Sequence, residues 1–215
     1  MRLIVLGASA AYAGPDEACS GYLISHLHPD HFLDIYPLHN YYLLNSTIPD
    51  FSLRVLAPSK ASELLDCILS DDYRKKFINI FRFEDINGKI EYRFGNLKLQ
   101  FCKVNHLEPT YAVAIIGKKK LVYSSDTGYC EDLVEFARGA DVFICEATLK
   151  EVHAGAPVNH LTAKQAAIIA KKAEVKKLFL THMWPGYDRE VSLKEAKEVF
   201  DGEIIMSGEN KAYEI

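Results

Sequence analysis

Short apolar runs alternate with amphipathic segments along the first third of the chain. Continuous apolar stretches predict buried strands, whereas apolar residues at spacings of three and four predict helices. The strands predicted in this way are residues 3–6, 21–25 and 53–57, and the helices are residues 32–44 and 61–69. The first third is therefore expected to mix short strands with helices that cover them.

The remainder of the chain continues this alternation. A weak alternation over residues 82–94 contains Asn87-Gly88, which predicts a β-hairpin turn. Gly139 predicts the end of one helix, and Thr162 and Gln165 have the spacing of a capping box at the start of another. The other predicted strands are residues 97–104, 111–116, 120–125, 141–146, 178–181 and 203–206, and the helices are residues 131–137, 162–175 and 193–200. We expect a single α+β domain over residues 1–215.

Candidate polar side chains follow three of these predicted strands directly. His26, Asp126 and His182 each stand at the first position after a strand. Binding and catalytic residues concentrate in loops that a rigid scaffold holds at strand ends. The pattern therefore predicts one functional site built from several loops.

The run His26-Leu27-His28-Pro29-Asp30-His31 holds four side chains of metal-ligand type within six residues. In an extended segment His26 and His28 point to the same side, and Pro29 then turns the chain. Four such ligands cannot all reach one tetrahedral metal without strain. The spacing favours two neighbouring metals over a surface turn, with His26 and His28 on one ion and Asp30 and His31 on the other. Imidazole and carboxylate ligands fit Zn²⁺, with Mn²⁺ or Fe²⁺ as alternatives.

Two metals need further ligands, and the candidates elsewhere are His106, Asp126 and His182. A carboxylate such as Asp126 can bridge two cations about 3.5–4 Å apart. A water shared by the two ions would have its pKa lowered toward ~7 and would become a hydroxide nucleophile. Two divalent ions combined with Asp30, Asp126 and one hydroxide leave about one net positive charge. That charge favours a phosphodiester or a developing oxyanion as the bound group.

The composition of the chain restricts the kinds of partner and the cellular compartment that we expect. The formal net charge of −4 argues against a general nucleic-acid-binding surface. The five cysteines are odd in number and have no C-x-x-C spacing, which favours a reducing compartment over a disulfide framework. No signal segment and no run of the ~20 apolar residues of a membrane span is visible. A cytoplasmic protein without a membrane segment is the expectation.

These residues resemble the metallo-β-lactamase superfamily in their order, which is H-x-H-x-D-H followed by a His, an Asp and a His at strand ends. Three later segments are closer still to its ribonuclease Z branch and related phosphodiesterases: Glu146-Ala147-Thr148, residues 159–167 and Leu180-Thr181-His182. The resemblance covers most of the chain and is weakest over residues 45–100. It implies a four-layer αββα sandwich with metals at one edge of the two sheets, and with part of the first sheet region missing after Leu23.

The resemblance also implies a role for each candidate residue. The metal ligands it implies are His26, His28 and His106 for one ion, Asp30, His31 and His182 for the other, and Asp126 for both. His160 would donate a proton to the leaving group, and Glu146 would orient His160. Asp30 could also act as a base while it binds metal.

The leading hypothesis is a dinuclear-metal phosphodiesterase. Enzymes of the ribonuclease Z branch that process tRNA carry an RNA-gripping arm between the positions of His106 and Asp126. Only nineteen residues separate those positions here, which disfavours tRNA maturation and favours a small phosphodiester or another anionic small molecule. The alternatives are a thioester, lactone or β-lactam hydrolase, a ribonuclease Z-like endoribonuclease, and a metal-binding scaffold with a degenerate site. An oxygen-reducing di-iron module would usually place a Glu at His28.

The sequence indicates the binding partners of the protein less clearly than its metal ligands. Nucleic acid is not favoured as a partner, and no membrane partner is expected. Several aromatic residues could line a substrate pocket or a homodimer contact, with core packing as the default interpretation. These residues are Phe32, Tyr36, Tyr41, Tyr42 and Trp184.

Overall fold

The computed structural model describes residues 2–5, 21–44, 52–86, 91–151, 159–184, 186–208 and 211–214. The chain forms two compact units. The smaller unit is Ser9–Ile86, and the larger unit combines Met1–Ala8 with Asn87–Ile215. The run at residues 26–31 belongs to the smaller unit, and the other candidate ligands belong to the larger one. The expectation of a single domain over residues 1–215 stays a prediction.

The secondary structure follows the predicted alternation in most segments. The strands are β1 (Arg2–Val5), β2 (Gly21–Leu23), β3 (Leu53–Ala57), β4 (Phe81–Asp85), β5 (Glu91–Phe94), β6 (Leu97–Lys103), β7 (Tyr111–Ile116), β8 (Lys120–Tyr123), β9 (Val142–Glu146), β10 (Lys177–Thr181), β11 (Glu203–Met206) and β12 (Lys211–Glu214). The helices are α1 (Ile35–Leu44), α2 (Ala61–Asp66), α3 (Asp71–Ile80), α4 (Glu131–Ala137), α5 (Ala163–Lys172) and α6 (Arg189–Lys197), with one 3-10 turn at Pro29–His31.

The smaller unit contains a parallel sheet in the order β2-β3-β4. Its core is made of apolar side chains from β3, from the start of β4, from the three helices and from the residue after β2. The most deeply buried of them are Ile24, Ile35, Val55, Leu65 and Phe77. The backbone N–H of Ile24 donates to Leu56 O at 2.9 Å, so the chain leaves β2 still attached to the sheet and leads into His26.

The larger unit contains a seven-stranded sheet in the order β11-β10-β9-β8-β7-β6-β5, and a separate antiparallel pair, β1-β12. Strands β8 to β11 run parallel, whereas β5 to β8 are antiparallel. Because β8, β9 and β10 are adjacent and parallel, their carboxyl ends meet at one edge of the sheet. This edge carries the candidate residues that follow those strands.

The two predicted helix boundaries in this unit are present. The Thr162 hydroxyl accepts from Gln165 N at 3.1 Å, and the Gln165 side chain accepts from Thr162 N at 2.9 Å, which completes the capping box of α5. Gly139 follows α4 with a φ of 65°, a left-handed conformation that glycine adopts without strain. The capping box fixes the start of α5 at its N-cap Thr162, two residues after His160.

The predicted hairpin at residues 82–94 is wrong. Strand β4 pairs with β3 in the smaller unit, and β5 pairs with β6 in the larger one, so the two strands are not partners. Residues 87–90, which include Asn87-Gly88, lie outside the described residues. Asn-Gly is a common hairpin-turn sequence, but the strand that pairs with β4 lies almost thirty residues earlier in the chain.

Some elements begin or end away from their predicted positions. Helix α1 begins at Ile35 because Pro29–His31 forms a 3-10 turn whose end cap is Phe32. Helix α6 begins at Arg189, where the Asp188 side chain caps it by accepting from Glu190 N at 3.0 Å. Among the described helices, none combines the length and the apolar character needed to cross a membrane.

Candidate functional site

The carboxyl edge of β8, β9 and β10 positions three acidic or imidazole side chains. Asp126 comes three residues after β8, Glu146 is the last residue of β9, and His182 directly follows β10. Thr181 of β10 stands beside Glu146 of β9 in the parallel register. Asp126 is 2% exposed and Glu146 is 0% exposed, so both carboxylates are buried at this edge.

Two residues at this edge have strained backbones. Ser125 has a φ of 55° and His182 a φ of 51°, in the left-handed region that residues other than glycine rarely adopt. The Ser125 hydroxyl donates to Tyr111 O at 2.7 Å, which helps to hold this conformation. Strain of this kind costs on the order of 1–3 kcal/mol per residue and concentrates at functional sites. Ser125 directly precedes Asp126. The backbone conformation of Ser125 therefore sets the direction of the Asp126 side chain.

Glu146 is the hub of the hydrogen bonds at this edge. Its Oε1 accepts from Thr127 N at 2.8 Å and lies 2.8 Å from His160 Nδ1. Its Oε2 accepts from Thr148 N at 3.2 Å, from the Thr148 hydroxyl at 2.7 Å and from Leu161 N at 3.2 Å. One buried carboxylate therefore joins the loop after β8, the loop after β9 and the entry to α5.

Three imidazole rings lie close to this hub. The ring centroids of His106 and His160 are 5.2 Å apart, and those of His160 and His182 are 6.0 Å apart with nearly parallel planes. His160 Nδ1 meets a carboxylate, and His106 Nδ1 lies 3.0 Å from Asn159 O. Carboxylate and carbonyl oxygens only accept hydrogen bonds, so both Nδ1 atoms carry a proton and the Nε2 atoms of the neutral rings carry the lone pair.

The donor atoms of the larger unit suit a divalent metal. One donor atom each from His106, Asp126 and His160 lie within 4.8 Å of one another, and the same is true of Glu146, His160 and His182. Asp126 Oδ1 is 3.6 Å from His182 Nδ1. Imidazole nitrogens and carboxylate oxygens at such separations are the ligands that Zn²⁺ takes in proteins.

The smaller unit gathers its own four donors over residues 26–31. The ring centroid of His26 is 4.8 Å from that of His28 and 4.0 Å from that of His31. His31 Nε2 lies 3.2 Å from Asp30 Oδ2. The turn that Pro29 predicts is present, and the His31 N–H donates to His28 O at 3.0 Å across it. His26 and His31 are buried, whereas the Asp30 side chain is 64% exposed.

Sequence reasoning missed the uncharged residues that hold these groups in place. The Thr148 hydroxyl contacts both Glu146 and His182, and Thr127 Oγ1 accepts from Asn105 N at 3.2 Å. Each threonine follows a buried carboxylate by one or two positions, in Asp126-Thr127 and Glu146-Ala147-Thr148. That proximity was the available signal, but threonine is too common in loops for it to stand out.

His39 is a buried histidine away from the candidate donors. It is 2% exposed in the smaller unit, among the rings of Tyr73, Phe77 and Phe81. Burial, and to a lesser degree the charge of Lys76, lowers the pKa of His39 from its ordinary value of 6.5. Among the described residues, no group makes a hydrogen bond to His39 Nε2. His39 is therefore a packing residue among the aromatic side chains of the smaller unit.

The chain is similar to several known proteins. Residues 11–183 match the Beta-lactamase superfamily domain. An uncharacterized protein of Mycobacterium leprae is 31% identical over 249 residues, which cover 97% of this chain and 87% of that protein. The crystal structure of the metallo-β-lactamase fold protein YhfI from Bacillus subtilis has a TM-score of 0.82 at 21% identity, over 99% of both chains. That of human tRNase Z, short form, has a TM-score of 0.69 at 17% identity, over 100% of this chain and 99% of the other. The two structures bear out the fold predicted from the sequence.

Proposed function

The chain belongs to the metallo-β-lactamase superfamily, and on that premise we propose that it is a metal-dependent hydrolase, specifically a dinuclear-metal phosphodiesterase acting on small anionic phosphodiesters. The observation that carries the proposal is the contact of 2.8 Å between His160 Nδ1 and the buried Glu146 carboxylate. An imidazole held in this way suits proton donation to a departing alkoxide. The leaving oxygen of an alkyl phosphodiester is strongly basic, so its departure gains from such a proton donor.

The proposal requires two divalent ions, with Zn²⁺ the first choice and Mn²⁺ or Fe²⁺ the alternatives. The ligands we propose are His26, His28 and His106 for one ion, Asp30, His31 and His182 for the other, and Asp126 for both. This division rests on the order of the residues in the chain and on the superfamily resemblance. It is supported by the close spacing of nitrogen and oxygen donors within each unit taken by itself.

The chain's own groups have distinct tasks in this reaction. Bound divalent ions supply Lewis acidity and lower the pKa of water. His160 points Nδ1–H at Glu146, whose negative charge stabilises the imidazolium form, and it donates the Nε2 proton to the leaving oxygen. Glu146 keeps this ring in place because three backbone N–H groups hold the carboxylate.

A comparison of two leaving groups tests this role. We expect His160→Ala to slow hydrolysis of a cyclic nucleotide, which has an alkoxide leaving group, by about 10²–10⁴-fold. The same variant should slow bis(p-nitrophenyl) phosphate far less, because p-nitrophenolate leaves without needing a proton. Metal content, measured by mass spectrometry, should stay at the wild-type level.

Three results would contradict the proposal. Equal losses on both substrates would remove His160 from proton donation, and loss of metal would make it a ligand instead. Turnover of thioesters or lactones by the wild-type protein, with no turnover of any phosphodiester, would overturn the substrate class.

A further inference from the structure

Thr148 lies between the two polar groups that define the site edge. It comes two residues after the end of β9 and is 8% exposed. Its hydroxyl oxygen is 2.7 Å from Glu146 Oε2, 2.9 Å from His182 Nδ1 and 2.9 Å from His182 O.

The number of protons shared by Thr148, Glu146 and His182 decides which of these groups donates each hydrogen bond. A threonine hydroxyl has one proton to donate and two lone pairs that accept. Glu146 Oε2 is a charged acceptor at the shortest of the three distances, so it takes the hydroxyl proton in preference to the neutral carbonyl of His182. The hydroxyl then faces His182 Nδ1 with a lone pair, and a second lone pair on Nδ1 would repel it. Nδ1 of His182 therefore carries the ring proton.

Two further contacts favour the same arrangement. Asp126 Oδ1 lies 3.6 Å from His182 Nδ1, where a negative charge favours an N–H over a lone pair. The carboxylate of Glu146 cannot turn away from Thr148, because it also accepts from Thr127 N and Leu161 N. The charged acceptor of the Thr148 hydroxyl is thus held in place by backbone groups outside His182.

We infer that Thr148 is a positioning residue that fixes the tautomer of His182, with the proton on Nδ1 and the metal-binding lone pair on Nε2. Glu146 thereby orients two histidines, His160 directly through Oε1 and His182 through the Thr148 hydroxyl on Oε2. The tautomer follows from the protein contacts alone, whereas the use of Nε2 for a metal rests on the proposed function.

The tautomer can be read directly by NMR. Two-bond ¹H–¹⁵N spectra of the metal-free protein with ¹⁵N-labelled histidine, recorded near pH ~8 where imidazoles are neutral, separate the two forms. A His182→Asn variant identifies the His182 signals. We expect the Nδ1–H pattern in the wild-type protein and in Thr148→Ser, which keeps the hydroxyl. In Thr148→Val, which keeps the shape but loses the hydroxyl, the Nε2–H form that free imidazoles favour in water should become populated.

Metal affinity provides a second measurement, made by competition with a chromophoric zinc chelator. Removing the partner of a metal-binding histidine lowers affinity about 10–100-fold, and we expect this loss for one Zn²⁺ in Thr148→Val and a much smaller loss in Thr148→Ser. Thr162→Val is the matched control, because it removes another buried hydroxyl, the cap of α5, and should lower thermal stability without changing zinc affinity.

The outcomes separate this inference from the proposed function. An Nε2–H pattern in the wild-type protein, or an unchanged pattern in Thr148→Val, would overturn the role of Thr148. Equal affinity losses in Thr148→Val and Thr162→Val would also overturn it, because they would indicate general destabilisation. If the wild-type protein binds no Zn²⁺, the proposed function is wrong. The spectra of the metal-free protein would still determine the tautomer of His182.

Discussion

His160 Nδ1 lies 2.8 Å from Oε1 of Glu146, a carboxylate with no exposed surface. The same carboxylate accepts from the backbone N–H groups of Thr127, Thr148 and Leu161. The single carboxylate of Glu146 therefore supports the fold of three loops and directly orients the imidazole of His160. A change at Glu146 should affect stability and turnover together, whereas a change at His160 should affect turnover alone.

Glu146→Gln tests this coupling. The glutamine NH₂ would face N–H donors that now meet an oxygen, so we expect the free energy of unfolding to fall by about 1–3 kcal/mol. Turnover of a cyclic nucleotide should also fall, because the His160 ring loses its anionic partner. Denaturant unfolding and steady-state kinetics measure the two effects. Glu131→Gln, at an exposed carboxylate of α4, is the control and should change neither quantity appreciably.

Asp126 and Asp30 should differ in the number of ions that each retains. We propose Asp126 as a ligand of both metals and Asp30 as a ligand of one. Asp126→Asn should therefore lower the content of both ions, and Asp30→Asn that of one, in mass spectrometry of the purified protein. Full occupancy in both variants would refute the ligand assignment. Asp132→Asn, at an exposed position in the first turn of α4, should keep the wild-type content.

Removal of metal should destabilise the protein. A ligand that binds only the folded state stabilises it by about 2.7 kcal/mol when its free concentration is 100 times its dissociation constant. Dialysis against a chelator should therefore lower Tm, and Zn²⁺ should restore it in proportion to the logarithm of its concentration. The same chelator saturated with Zn²⁺ beforehand should leave Tm unchanged. A Tm that is insensitive to chelation would argue against a resident metal.

His39 should make stability depend on pH. Its pKa is lowered in the folded protein, chiefly by burial, and returns to about 6.5 on unfolding. The unfolded state therefore binds more protons between the folded pKa and 6.5, so stability is complete above about 6.5 and declines as the pH falls below that value. His39→Leu should remove this part of the slope in denaturant unfolding measured across this range. Parallel curves for the two proteins would show that His39 does not contribute.

The sequence indicated the candidate donor residues, but it did not indicate the uncharged residues that hold them. The residues from His26 to His31 carry a local spacing that only a few kinds of site require, so they could be interpreted without a fold. The contact of Thr148 with His182 joins residues 34 positions apart through a hydroxyl, and no local spacing encodes it. Such contacts depend on the register of β9 and β10, which the sequence does not specify residue by residue.

Two elements of the smaller unit show where sequence interpretation failed. Helix α3 was not predicted, although Tyr73, Phe77 and Ile80 have helical spacing in the sequence. The Asn87-Gly88 signal is local, whereas the pairing of β4 with β3 depends on a distant segment. The strands β8, β9 and β10 were predicted well because each is a short, buried, apolar run.

Helix α5 packs into the core of the larger unit largely through side chains no larger than a methyl group. Ala163, Ala166, Ala167 and Ala170 are all fully buried there. An added ethyl or isopropyl group at any of them would lift the helix, and His160 would be carried away with its first turn. We therefore expect natural or engineered substitutions by bulkier residues to be poorly tolerated at these four alanines, even though none of them touches a reactant. Variation should instead accumulate on the opposite side of the helix, where Lys164, Lys171 and Lys172 meet water.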